Sequence, residues 1–229
     1  MYRVLITDDE KIEREGIKFL LSMEEGEYEI QEASNGKQAL NILRSQQIDF
    51  LLTDIKMPHM DGLELAEKAR EENPELPIVI FSGYSDFSFA QEAMRYGVRD
   101  YVLKPVDPDT FHETIEKVKA ELTDTKIKKQ KAEKEKNFLL QYFLQTYLYS
   151  GNEDILKKAG DILENSSWDQ WHCAILIESD NSFFDNVSDE IDEELMQGLH
   201  RNFFYLNLNT RQSILFFSDV YCDYQLVAN

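Results

Sequence analysis

Phe50-Leu51-Leu52-Thr53-Asp54-Ile55-Lys56-Met57-Pro58-His59-Met60-Asp61-Gly62 reads as a buried strand that runs straight into a carboxylate and then a turn. A short, unbroken apolar run with turn residues after it suits a parallel sheet covered on both faces. In open sheets of that kind, ligands bind beyond the carboxyl ends of the strands. Asp54 stands at that place. Aspartate is also an ordinary turn residue, so taken alone Asp54 is equally well read as the start of a loop closed by Pro58 and Gly62.

Working outward, four further strand-like runs flank it. Arg3 to Thr7 ends in Asp8-Asp9-Glu10, and Tyr28 to Ala33 ends in Ser34-Asn35-Gly36. Pro77 to Phe81 ends in Ser82-Gly83, and Asp100 to Leu103 ends in Lys104-Pro105. Between them lie helical spacings. Lys11 to Leu21 carries an apolar stripe of Ile12, Ile17, Leu20 and Leu21, and Gln38 to Arg44 turns Ala39, Leu40 and Leu43 inward. Leu63 to Glu72 is closed by Asn73-Pro74, and Asp86 to Tyr96 is stopped by Gly97. Strand alternating with helix predicts a doubly wound, flavodoxin-like α/β fold with a five-stranded parallel sheet.

Four of those strands end in groups that do chemistry: Asp8-Asp9, Asp54, Ser82 and Lys104. Strand tips of a parallel sheet share one edge, which gathers three acids, a hydroxyl and an ammonium. Like charges so placed raise one another's pKa unless a cation intervenes. A hard divalent ion with oxygen ligands, Mg²⁺ by default, resolves the clash. A carboxylate beside Mg²⁺, a hydroxyl and a lysine is a receptacle for phosphoryl transfer, with aspartate as acceptor.

Asp8-Asp9, Asp54 with Met57-Pro58 and Asp61-Gly62, Ser82-Gly83, and Tyr101 ahead of Lys104-Pro105 together resemble the receiver domain of two-component response regulators, over residues 1–120. The resemblance implies Asp54 as phosphoacceptor from a sensor histidine kinase. It implies Asp8 and Asp9 as the acidic pair, with Asp9 a direct metal ligand beside Asp54, and the backbone carbonyl of Lys56 as a further ligand. Ser82 and Lys104 would bind the phosphoryl group, and Tyr101 would turn inward as Ser82 is drawn to it. The Lys104-Pro105 bond would be cis, a state X-Pro bonds reach at small cost. Simpler roles compete: Asp8 or Asp9 as the cap of the next helix, Ser82 as a turn hydroxyl, Tyr101 as static core. Phe87 and Phe89 read as packing or partner surface, and Lys56 and Tyr84 as exposed residues beside the pocket. His59 and His112 fall outside the set of strand ends.

Composition bounds what remains. A net charge of −20 argues against sequence-independent binding to nucleic acid, which draws on lysine and arginine. Two cysteines, Cys173 and Cys222, fit a reducing compartment, and the N-terminus is too short for a signal peptide. No apolar run approaches the ~20 residues of a membrane helix, so a cytoplasmic protein is expected.

From Asp107 no glycine and only Pro108 interrupts a helical pattern until Gly151, giving a linker helix over 107–150 of about 60 Å. A heptad frame runs through Ile115, Val118, Leu122, Thr125, Lys129, Ala132, Lys136, Leu139 and Phe143, apolar at its ends and poor in its middle. It predicts a homodimer through the helix, the receiver or both. The lysines from Lys126 to Lys136 alternate with Glu133 and Glu135 and read as a solvated face.

Residues 151–229 read as a small α+β domain. Glu153 to Leu163 is a helix burying Ile155, Leu156, Ile162 and Leu163, and Trp168 and Trp171 lead into a strand from His172 to Ile177. A helix begins at Ser188, and Phe203 to Leu208 with Ser213 to Phe217 forms a hairpin. The region is weakly similar to the middle domain of long AraC-type response regulators, a degenerate diguanylate cyclase fold. Glu178-Ser179-Asp180 stands where a cyclase holds metal, but Asn209-Thr210-Arg211 replaces its glycine-rich acidic loop, which argues against catalysis. The helix-turn-helix units of those relatives are missing here, so DNA is a partner only if such a unit follows.

The functional expectation is a regulator, not an enzyme, that is phosphorylated on Asp54 and switches conformation or dimerisation to control output, with transcription the leading one. Signalling through protein contacts alone is the alternative. An aspartyl-phosphate phosphatase of haloacid-dehalogenase type needs a second aspartate two residues after the nucleophile, and Lys56 stands there.

Overall fold

In the computed structural model the described residues are 1–83, 87–162, 172–180 and 203–218. They fall into two compact units, residues 1–128 and 129–229.

The first unit holds β1 (Tyr2–Thr7), β2 (Tyr28–Ala33), β3 (Phe50–Thr53), β4 (Ile78–Ser82) and β5 (Asp100–Leu103) in one parallel sheet of order β2-β1-β3-β4-β5. The chain order reverses between β1 and β3, so the crevice of this flavodoxin-like sheet lies over their ends. Successive residues of a strand point to opposite faces. Leu5, Leu51, Ile78 and Ile80 pack with buried residues of α2 (Gly36–Ser45) and α3 (Gly62–Glu72) and with Ala93 of α4 (Phe87–Arg95). Val4, Ile6, Phe50, Leu52, Val79 and Phe81 pack with Ile17 and Leu21 of α1 (Lys11–Met23) and with Phe111, Ile115 and Val118 of α5 (Pro108–Ser150). Both faces are covered, which explains the unbroken apolar run of β3.

Local chemistry sets the helix starts. Asn35 accepts from Gln38 N at 3.0 Å and Asp61 from Glu64 N at 2.8 Å, each satisfying an orphan amide, so α2 opens at Gly36 rather than at Gln38. The residue at the cap of α1 is Glu10, not Asp8 or Asp9, and it makes no side-chain cap bond. Ile12, assigned above to the buried stripe of α1, is 76% exposed, because Ile17 and Leu21 already fill the sheet side of that helix.

The α5 helix is unbroken over 43 residues. Both apolar ends of the heptad frame are used inside the chain. Ile115, Val118 and Leu122 belong to the receiver core, while Leu139 and Phe143 pack with Leu140, Leu144 and the small sheet. The lysines from 126 to 136 are exposed, as a solvated face requires.

In the second unit β6 (Cys173–Glu178), β8 (Gln212–Phe217) and β7 (Phe203–Asn209) form an antiparallel sheet in that order. Leu206, with Ile214 and Phe216, packs on Leu140, Leu144 and on Ala159 of α6 (Glu153–Ile162). Ala159, rather than Ile155, is the fully buried residue of α6 among those described. Cys173 is disulfide-bonded, so the reading of the cysteines as reduced thiols does not hold for it. Cys222, Leu163, Trp168, Trp171 and the helix expected from Ser188 lie outside the described residues.

Candidate functional site

Register brings the strand tips level. Thr7 pairs with Thr53, Thr53 with Ile80, and Ser82 with Leu103. The ladder continues one residue further, with Asp54 N donating to the carbonyl of Thr7 and Lys104 N to that of Ser82, each at 2.8 Å. Asp8, Asp54 and Lys104 are therefore delivered side by side.

Lys104 Nζ is the hub. It lies 2.7 Å from Asp8 Oδ2, 3.1 Å from Asp54 Oδ1 and 3.4 Å from Glu13 Oε2. Asp8 is fixed further by Glu10 N on Oδ1 and by Arg14 Nη1 on its carbonyl, both at 2.8 Å. Asp54 Oδ2 accepts from Lys56 N at 2.8 Å. Burial works against the charge of Lys104, yet the hydrogen bond to Asp8 and the charges of Asp54 and Asp8 hold its pKa well above the ordinary lysine value. Burial also pushes the Asp54 carboxyl above its usual range, over the pull of Lys104. Lys104 and the Lys56 amide favour the charged form, but burial outweighs them and the charge of Asp8 adds to the rise.

The loop behind Asp54 is built as closely as the pocket. A Cβ at Gly62 would sit 1.9 Å from the Asp54 carbonyl oxygen, and Gly62 N donates to the Ile55 carbonyl at 2.8 Å. Only glycine permits that approach. His59 takes φ 72° within the same turn. The Lys104-Pro105 bond is cis. Lys56 places its ammonium 4.7 Å from the centroid of the Phe89 ring on α4.

An open cavity of about 790 Å³ lies over these tips, and Asp8, Asp9, Asp54, Lys56, Lys104 and Pro105 all line it. Ser82 is buried at the end of β4 and does not line it, although Gly83 does. Tyr101 is half-buried against the core on the α4 side of the sheet. His59 is not on the wall, and His112 sits on α5, 2.9 Å from Glu24. Tyr84 is outside the described residues. Sequence reasoning missed Glu13. It lies in the first turn of α1, and its only signal was a fourth acid a few residues after the Asp8-Asp9 pair.

The donor set suits a hard cation. Asp8, Asp9, Glu10, Glu13 and Asp54 share the cavity wall with Lys56 and Lys104, which leaves excess negative charge among carboxylate oxygens. Asp9 is exposed on the cavity wall and has no hydrogen-bond partner among the described residues.

Residues 4–116 match the family described as the response regulator receiver domain, and over those residues the chain belongs to that family. It is 37% identical over 132 residues to the transcriptional regulatory protein YesN of Bacillus subtilis, covering 57% of this chain and 36% of that one. An uncharacterized response regulatory protein of Staphylococcus epidermidis is 36% identical over 108 residues, covering 47% of this chain and 42% of that one. The chain thus spans about two fifths or less of these curated relatives. Among solved structures, the REC domain of AraT from Geobacillus stearothermophilus is 42% identical, with a TM-score of 0.50, covering 55% of this chain and 98% of that one.

Proposed function

We propose that this chain is a response regulator whose Asp54 accepts a phosphoryl group from a sensor histidine kinase. The observation that carries this is the convergence of Asp8 and Asp54 within 3.1 Å of the Lys104 ammonium, on a cavity that Asp9 also lines. Asp54 Oδ attacks the phosphorus and the donor's bond to phosphorus breaks, so the acceptor becomes an acyl phosphate. Asp9, Asp54 and the backbone carbonyl of Lys56 would hold Mg²⁺, with Asp8 beside them. When bound, the metal would neutralise charge on the transferred oxygens. Lys104 moves from the carboxylates to a phosphoryl oxygen, and Ser82 donates its hydroxyl to another. Tyr101 follows Ser82 inward, so that the β4–β5 side of the sheet adopts a second packing. The chain turns over no substrate.

Its output is control of transcription, with DNA a partner only if a helix-turn-helix unit follows, and it acts as a homodimer in the cytoplasm. Among the described residues, no helix is long and apolar enough to cross a membrane. Since the heptad positions are largely used within the chain, the dimer seam on α5 is drawn instead from its exposed Ile127, Phe138, Tyr142 and Tyr149.

Incubation with acetyl phosphate and Mg²⁺ tests the acceptor. Intact-mass spectrometry is expected to show one added phosphoryl group on the wild type and none on Asp54→Ala. An unmodified wild type, or an equally modified Asp54→Ala, discards the reading.

A further inference from the structure

Glu13 has no part in the chemistry derived above. It comes from a helix rather than a strand tip, its side chain is 42% exposed at the mouth of the cavity, and the partner it reaches is Lys104. Resting on the phosphoacceptor reading of Asp54, we propose that Glu13 is a positioning residue that tethers Lys104 toward α1 and sets which small phosphodonors the pocket accepts.

Lys104 Nζ is divided between Asp8 at 2.7 Å, Asp54 at 3.1 Å and Glu13 at 3.4 Å. To bind an arriving phosphoryl oxygen it must slacken at least one of these. Asp8 lies nearest and is pinned by the amide of Glu10, and Asp54 is the acceptor itself, so the longest pair, to Glu13, is the one to open. Once it opens, the Glu13 carboxylate stands without its cation at the entrance, facing a donor of its own sign. The result is a charge-selective brake. It acts strongly on a dianionic donor, whose approach it opposes, and weakly on a donor of lower net charge.

Two donors separate these effects. With acetyl phosphate, Asp54 Oδ bonds to phosphorus while the phosphorus–oxygen bond breaks and acetate leaves with the electron pair. With phosphoramidate, which carries its own ammonium and one less net negative charge, the phosphorus–nitrogen bond breaks and ammonia leaves with the pair. Neither step needs a further proton from the protein. The experiment measures initial rates of Asp54 phosphorylation in saturating Mg²⁺ on the full chain, for wild type, Glu13→Gln, Glu13→Ala and Glu15→Gln. Glu15 is exposed on the same helix and pairs with Lys18, so its variant makes the same change in net charge away from the cavity.

Glu13→Gln and Glu13→Ala are expected to raise the acetyl phosphate rate about threefold to fivefold, the range of a half-exposed ion pair. The phosphoramidate rate should rise less than about twofold, and Glu15→Gln should change neither. Unchanged or slower acetyl phosphate rates in both Glu13 variants overturn the proposal. An equal gain with both donors also overturns it, since a purely structural effect would not distinguish donor charge. Wild type that takes up phosphate from neither donor removes the phosphoacceptor reading itself, an outcome separate from any difference among variants.

Discussion

The two sheets of this molecule both end strands in acids, and only one makes a pocket of them. In the receiver, β1, β3, β4 and β5 are parallel, so Asp8, Asp54, Ser82 and Lys104 arrive at a single edge. In the second unit, β6 runs antiparallel to β8, and its terminal Glu178 meets the start of β8, where Gln212 Nε2 donates to it. Asp180, just beyond, is exposed. An antiparallel sheet sends successive strand ends to opposite edges, so its acids stay dispersed in solvent. Strand direction, more than the presence of carboxylates, separates a phosphoryl site from a solvated turn.

The largest expected effect tests how tightly the receiver edge is built. Gly62→Ala drives a methyl group into the Asp54 carbonyl and should cost roughly 3 kcal/mol or more, read from the urea midpoint of the full chain by circular dichroism. Gly160→Ala, on α6 of the second unit, meets nothing within 4 Å and should gain roughly 0.5–1 kcal/mol. Equal responses at the two positions would erase the distinction between the units.

Next comes the contrast between a sheet covered twice and a sheet partly open. Ile80 is fully buried in β4, and Ile80→Ala should cost about 2–5 kcal/mol. Leu176 on β6 is 52% exposed, and Leu176→Ala should stay within about 0.5 kcal/mol. A large loss at Leu176 would mean that this face of the small sheet is covered in solution.

The smallest effect is a pH dependence. The hydrogen bond from His112 to Glu24, then its charge, raises the pKa of the His112 imidazole. The stabilisation is therefore present below the unfolded value of about 6.5 and is lost as pH rises through the higher folded value. His112→Gln should lower the urea midpoint near pH 5.5 and have little effect near about pH 9. A gap between wild type and variant that widens with rising pH would contradict the sign.

Much of this was legible in the sequence because the receiver is locally consistent. The residues of β5 coincide with the reading, and those of β3 follow from an apolar run bounded by turns. The pocket residues were legible because strand tips of a parallel sheet need no side-chain detail to be placed together. Glu13 was not, since its importance depends on how α1 is set against Lys104, a tertiary fact. Ile12 misled because a helix offers more apolar positions than the sheet side can bury. The heptad frame misled for a related reason: Ile115 and Val118 have the spacing of a seam, but their own domain consumes them.

That use of α5 has a practical consequence for dissecting the molecule. Phe111, Ile115 and Val118 are fully buried in the first unit, while Leu140 and Leu144 cover the sheet of the second. Excising the receiver at its last strand would leave α1 alone on one face of its sheet, and beginning the other fragment at α6 would remove Leu140 and Leu144 from its hairpin. A clean cut belongs in the exposed lysine-rich turns between residues 126 and 136, where neither half surrenders a buried side chain.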